Sequence, residues 1–379
     1  MRYAGIHAIV LLAAGFAMAA NAAQAKGSKE TVRYSFSGSD GAYPAALPAE
    51  DSKGDLYGTT TDGGASSLGA VFKLTPKGTE SVLHSFAGSD GDEPSGNLIL
   101  AGGDLYGATL YGGANDSGAI FRIARNGKFD VLHSFGGSGD AAFPSGWVVW
   151  DTGGFVYGAA QGGAYGFGAI YKVAAADGKE TVVYSFTGGS DGGYPVSCLL
   201  LPSGTLYGET TEGGADDAGV VFEIDTGGNE SVLYSFNASG NDGYSPAGPM
   251  GNDNSSNLYG TAEFGGANGV GTAFRVTQSG TFTLLHTFGG AGDGSYPLGL
   301  FAGPKAFYGA TLEGGSGSGI VYSMQANGAQ KVLYQFTGGA DGGSPQAPPL
   351  VDSHNHVYGS TLDGGADALG VVYALKSKK

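Results

Sequence analysis

Leu56-Tyr57-Gly58, then Gly63-Gly64-Ala65, then Gly69-Ala70-Val71-Phe72 is the stretch on which the reading of this chain turns, because it returns seven times. The tyrosines are Tyr57, Tyr106, Tyr157, Tyr207, Tyr259, Tyr308 and Tyr358, and successive copies lie 49 to 52 residues apart. Self-similarity at a fixed period marks a repeat architecture, in which each copy is one supersecondary unit that buries its apolar face only against its neighbours.

Working outward from that stretch, each unit contains four short apolar runs. One is the Leu-Tyr-Gly run and one follows the Gly-Gly-Ala loop, as in Ala119-Ile120-Phe121-Arg122. Next comes a Val-x-Tyr/His-x-Phe run, such as Val32 to Phe36 or Val82 to Phe86. Its aliphatic, aromatic and Phe positions fall two residues apart, which predicts one strand face. A Gly/Asp turn follows, in which Asp40, Asp90, Asp140, Asp191, Asp242, Asp293 and Asp341 each precede a proline by four residues, from Pro44 to Pro345. Because proline cannot donate to a ladder, it is placed at the first residue of the next strand. That strand is short and apolar, as in Leu98-Ile99-Leu100 or Trp147-Val148-Val149-Trp150.

Four strands in about 50 residues, with no helical periodicity, predict an all-β, seven-bladed β-propeller with four strands per blade. The ends sharpen this. The chain begins with a lone fourth-type strand and finishes after a third-type strand, so Thr31–Phe36 is expected to pair with Gly370–Leu375 and close the last blade. Closure removes the exposed edges of an open array, whereas a solenoid would carry polar caps at both ends. Residues 26–379 are thus expected to form a single propeller domain.

Composition agrees. Glycine is abundant, at 74 residues, but there is no Gly-X-Y period, and 21 Tyr, 20 Phe and 41% hydrophobic residues exclude a disordered chain. Residues 1–25 read as a secretory signal peptide: Arg2, an apolar run from Ile9 to Ala20, then small-residue cleavage patterns at Ala20-Asn21-Ala22 and Ala23-Gln24-Ala25. The mature protein is expected in the periplasm or outside the cell, with no membrane span and as a monomer. Arg2 is the one base of that segment, so 17 of the 18 Lys and Arg remain against 34 Asp and Glu. That excess of acid argues against nucleic acid as a partner. A protein or glycan ligand stays open. The one cysteine, Cys198, sits in an apolar run and reads as a small core residue, leaving no disulfide framework.

The unit as a whole, Tyr-Ser-Phe, Gly-Ser-Asp-Gly, Pro, Leu-Tyr-Gly-Thr-Thr, Gly-Gly-Ala and Gly-Ala-Val-Phe-Lys, resembles the bacterial GloVer (Gloeobacter/Verrucomicrobia) tandem repeat over residues 31–375. The resemblance implies export and an unknown molecular function, and it supplies no catalytic residues.

Several residue sets invite a chemical reading. The seven turn aspartates, on the same face as Asp62, Glu212, Glu313 and Asp363, offer an acidic ring that would suit Ca²⁺. A turn that needs its Asp in every blade explains them better, since Asp side chains bond their own turn backbone. Gly188-Gly189-Ser190-Asp191-Gly192 matches the nucleophile-elbow pattern but lacks the helix that the elbow requires. His84, His133 and His286 replace the tyrosine of the fourth strand and read as packing variants. His354 and His356 share one turn and are spaced for two ligands, with no third in sight. Four residues break the repeat. Trp147 and Trp150 read as core packing, and Glu209 and Glu263 are the pair on which a glycan-active enzyme at the propeller axis would depend. With no catalytic motif singling out one blade, a non-enzymatic binding or cell-envelope interaction module is the preferred reading, and the glycan-active enzyme is the alternative.

Overall fold

A computed structural model of the chain describes residues 28–44, 49–94, 96–137, 139–253, 255–289 and 292–376. The signal-peptide reading of residues 1–25 lies outside them. The described residues form no helix, and their strands assemble into seven antiparallel sheets arranged as the blades of a propeller. Blade 1 runs from strand Ala42–Pro44 through Leu56–Asp62 and Ala70–Leu74 to Glu80–Ser85. Blades 2 to 6 repeat that order. In blades 1, 5 and 6 the first position is split into two short segments, for example Ala42–Pro44 and Ala49–Glu50, which both pair with the Leu-Tyr-Gly strand.

Blade 7 is closed as the chain ends predict. Strand Lys29–Ser35 pairs antiparallel with Val371–Lys376, with Thr31 opposite Ala374 and Tyr34 opposite Val372. The seam on to blade 1 is then built like the rest. The Tyr43 N–H donates to Leu369 O at 2.9 Å, and Gly370 lies against the ring of Pro44.

Two aromatic contacts set the blade spacing. The glycine of each Leu-Tyr-Gly strand lies under the aromatic ring opposite it on the third strand: a methyl group on Gly58 would come within 2.5 Å of Phe72, and one on Gly107 within 2.6 Å of Phe121. The phenylalanine that ends each fourth strand, fully buried in every blade, then meets the third-strand ring of the next blade edge to face. The pairs run from Phe36–Phe72 through Phe336–Tyr373, with centroids 4.8 to 5.4 Å apart. Edge-to-face pairs add about 0.5–1.5 kcal/mol each beyond the area they bury.

Two local expectations are corrected. Proline does not open the first strand. It ends Ala42–Pro44 and lies third in Ala142–Trp150, next to a register shift between Pro144 and Val148, and a bulge is the other place in a sheet where a missing N–H is tolerated. The residue before it takes a left-handed conformation, as Tyr43 (φ 58°), Phe143 (φ 56°) and Tyr194 (φ 55°) do. That turns its N–H toward the loop of the preceding blade, as in Phe143 N to Ser117 O at 2.8 Å and Tyr194 N to Phe167 O at 2.8 Å. Nor do the three positions of Val-x-Tyr/His-x-Phe share one face. A register shift between the valine and the aromatic, as between Val131 and His133, turns Val82, Val131, Val232 and Leu284 out to solvent while the phenylalanine stays buried.

Deleting Lys26–Phe36 removes a whole strand ladder and the buried Phe36 ring. The melting temperature is expected to fall markedly, and Phe36→Ala alone is expected to cost roughly 3–5 kcal/mol. Thermal unfolding followed by circular dichroism checks this, and an unchanged curve for the deletion contradicts closure by the N-terminal strand.

Candidate functional site

Every turn aspartate is engaged within its own blade. Asp40 accepts the Tyr34 hydroxyl, the Ser37 N–H at 2.9 Å and the Ser37 hydroxyl at 3.0 Å. Asp191 accepts Tyr184 at 3.0 Å and the Thr187 N–H at 2.8 Å, Asp242 accepts Tyr234 at 2.6 Å, and Asp341 accepts Tyr334 at 2.9 Å. Asp90 and Asp293 face His84 and His286 at 2.9 and 3.1 Å, and Asp140 faces His133 at 3.5 Å. His84 and His286 therefore take over the tyrosine's hydrogen-bonding place as well as its packing, while His133 Nε2 makes no hydrogen bond. Burial works to raise Asp40 and Asp191, but their hydrogen bonds outweigh it and hold both below the usual carboxylate range. Bonds of this kind recur in each turn, so each of the seven carboxylates has a backbone partner inside its own turn.

A third residue joins each pair from the fourth strand of the next blade. The sets are Tyr34–Asp40–Glu80, His84–Asp90–Phe129, His133–Asp140–Glu180, Tyr184–Asp191–Glu230, Tyr234–Asp242–Phe282, His286–Asp293–Gln330 and Tyr334–Asp341–Glu30. Phe129 stacks on His84 with centroids 3.6 Å apart, and Phe282 on Tyr234 at 4.2 Å. The sequence reading missed this position, although it lies two residues before the valine, or Leu284, of every fourth strand. Burial first, and the facing aspartate second, push Glu30, Glu80 and Glu230 up to about 7.

The off-pattern residues sit in different surroundings. Glu209 is 0% exposed, on the strand face toward Gly260 of the next blade, and neither of its carboxyl oxygens has a hydrogen-bond partner. Glu263 is half-buried two positions further along the equivalent strand of blade 5. Burial raises both carboxyls. Trp150 packs on Tyr106 across a seam at 4.8 Å, and Trp147 is half-buried on the first strand of the same blade. Cys198 is buried and its thiol is pushed up to about 12, as befits a core residue.

What the structure does bring together is a cleft of about 400 Å³ at the closing seam, between the turn Asp51–Asp55 of blade 1 and the turn Asp352–His356 of blade 7. Arg33, from the closing strand, lies at its wall with Glu50, Lys53, His354, His356 and Tyr358. Asp352, 8% exposed, organises the blade 7 turn. It accepts the His354 N–H at 2.8 Å, the His356 N–H at 2.7 Å and the His356 ring Nδ1 at 2.7 Å. That leaves His356 Nε2 as the ring atom free for a ligand. Burial raises Glu50, and the nearby Asp352 reinforces the shift against the opposing pull of His356. Blade 2 offers Gly102 and Gly103 at the equivalent turn, and blade 4 offers Pro202-Ser203-Gly204. The paired turn histidines, read from sequence as a two-ligand surface turn, gain their neighbours Glu50, Lys53 and Arg33 only when the ring closes.

Comparison with known proteins fixes the family. The model of the Gloeobacter/Verrucomicrobia repeat matches residues 21–201 and again 153–373. The chain belongs to this repeat family. No curated protein matches the sequence. Among solved structures, streptogramin B lyase is similar with a TM-score of 0.64 at 13% identity, covering 93% of this chain and 98% of its own. Virginiamycin B lyase from Staphylococcus aureus is similar at 0.61 and 12% identity over 92% and 98%, and an oligogalacturonate lyase in complex with manganese at 0.62 and 12% over 94% and 95%. At these identities the likeness establishes the propeller fold alone. No helix among the described residues is long and apolar enough to cross a membrane.

The seam glutamates make stability depend on pH. Glu30, Glu80 and Glu230 bind their protons more tightly folded than unfolded, so their contribution is complete below about 4.5 and is lost as pH rises through about 7. Melting temperature is therefore expected to fall between pH 5 and pH 8. Glu80→Gln, which copies Gln330, is expected to flatten part of that fall. A melting temperature that rises over the interval, or an equal slope in the variant, contradicts this account.

Proposed function

We propose that this chain is an exported, non-catalytic binding propeller that holds a polar, hydroxyl-rich ligand, a glycan of the cell envelope, in the cleft between blades 7 and 1. The observation that carries the reading is where asymmetry collects. Residues repeated in every blade are consumed by the scaffold, whereas Lys53, His354 and His356, on two turns that differ from those of the other blades, converge on open space. Its mixture of cationic, acidic and aromatic side chains, presented on two turns held rigid by Asp51 and Asp352, suits directional hydrogen bonding to hydroxyls. Export rests on the signal-like residues 1–25.

The alternative is an enzyme on glycans at the axis. Similar folds include lyases, one named for oligogalacturonate and complexed with manganese, so the architecture is compatible with catalysis. What speaks against it here is Glu209, which is fully buried without a partner, because retaining and inverting hydrolysis both need two carboxyls open to one bond.

A glycan array probed with the mature protein, followed by calorimetry on the best glycan, tests the reading. His356→Ala and Lys53→Ala are each expected to weaken binding at least about tenfold, or about 1.4 kcal/mol, without loss of fold. Unchanged affinity in both variants removes the cleft from the account, and consumption of the glycan replaces a binding module with an enzyme.

A further inference from the structure

The seam between blades 2 and 3 differs in kind from the other six. Of the seven residue sets, His133–Asp140–Glu180 alone combines an imidazole with two carboxylates. The tyrosine seams offer a phenol, and the seams of His84 and His286 put Phe129 and Gln330 in the third place. His133 comes from strand Phe129–Ser134, Asp140 from the turn that follows it, and Glu180 from the start of strand Glu180–Ser185 in the next blade. One donor atom from each lies within 4.8 Å of the others, and among the described residues no other set of three His, Cys, Asp or Glu side chains does so.

Three details separate this group from a hydrogen-bonded cluster. His133 Nε2 is buried and makes no hydrogen bond, and it stands 3.5 Å from Asp140 Oδ2. His84 and His286 approach their aspartates to 2.9 and 3.1 Å. Ligands about 2.1 Å from a tetrahedral zinc ion are separated by about 3.4 Å, a spacing that the His133–Asp140 distance matches. Second, the His133 ring packs edge to face on the buried Phe135 at 4.8 Å, which fixes the direction of the ring beside the carboxylates. A held ring orientation is part of what supports a metal-binding histidine. Third, both carboxylates are anchored: Asp140 Oδ2 accepts the Gly137 N–H at 2.9 Å, and Glu180 Oε1 accepts the Ala141 N–H at 3.0 Å. Each keeps further lone pairs, since an ionised carboxylate has about four acceptor sites.

We propose that His133, Asp140 and Glu180 form a binding site for one Zn²⁺ ion, which clamps blade 2 to blade 3. One imidazole and two carboxylates suit zinc with a water as fourth ligand. Calcium and magnesium take oxygen ligands and gain nothing from the imidazole. The site is independent of the cleft between blades 7 and 1, and its ligands reach across a seam, so the ion joins two blades.

The test uses the full mature chain without a histidine tag, stripped of metal by a chelator, titrated with Zn²⁺ by calorimetry and in thermal unfolding. One zinc per chain is expected, with a melting temperature that rises with zinc concentration because only the folded chain assembles the site. His133→Tyr, which installs the residue of four other seams, and Glu180→Gln, which copies Gln330, are each expected to lose the stoichiometric ion and the thermal shift. His84→Tyr is expected to keep both. No zinc bound to the wild type at 100-fold excess over protein, equal affinity in both site variants, or tighter binding of Ca²⁺ than of Zn²⁺ overturns the proposal.

Discussion

The structure depends on an aromatic ring packed directly against a glycine. In each blade the second strand contributes the glycine and the third strand the ring, from Gly58 under Phe72 to Gly359 under Tyr373. The buried phenylalanine of the preceding blade then rests its edge on that ring. A Cβ on the glycine would lift the ring, and the lifted ring would push away the neighbouring blade. In a closed circle such a displacement has nowhere to go, because seven equal spacings must bring blade 7 back to blade 1. This explains why Leu-Tyr-Gly returns intact in four copies and with close substitutes in the rest, Val156-Tyr157-Gly158, Phe307-Tyr308-Gly309 and Val357-Tyr358-Gly359.

Much of this was legible in the sequence because repetition multiplies weak signals. One Gly in one strand is ambiguous, whereas seven at constant spacing fix strand count, blade count and the closure of Lys29–Ser35 on Val371–Lys376. Local geometry was less legible. Proline was assigned to strand starts from its missing N–H alone. Its neighbour's left-handed backbone, unusual for Tyr43 or Phe143, follows from a hydrogen bond to another blade that no local rule contains. The exposed valines have the same origin: a bulge shifts the register, and alternation read along the chain does not see it.

The sites were legible in a different measure. The seven aspartates bond the turns in which the repeat places them, and Cys198 is buried in its apolar run. Glu209 and Glu263 were rightly singled out as departures, yet their separate burial comes from packing between blades and is invisible in a one-dimensional pattern. The cleft at the closing seam is harder still. Glu50 and His356 are some 300 residues apart in sequence, and they become neighbours through a strand from one end of the chain completing a blade made at the other. The seam triads were within reach, since aligning the copies places Glu180 beside Asp140 once blade order is known. What was lacking was the knowledge that each fourth strand faces the turn before it.

The account makes the recurring motif scaffold and puts function in what differs between copies. Comparing Gly58→Ala with Gly189→Ala in thermal unfolding tests this most directly. Gly189 has an ordinary backbone conformation, and its nearest neighbour would be 3.4 Å from an added methyl group, so its variant is expected to melt with the wild type. Gly58→Ala, whose methyl would meet Phe72 at 2.5 Å, is expected to lose several degrees or fail to fold. A Gly58→Ala protein that melts with the wild type but no longer binds its ligand would contradict the account and make Leu-Tyr-Gly the site.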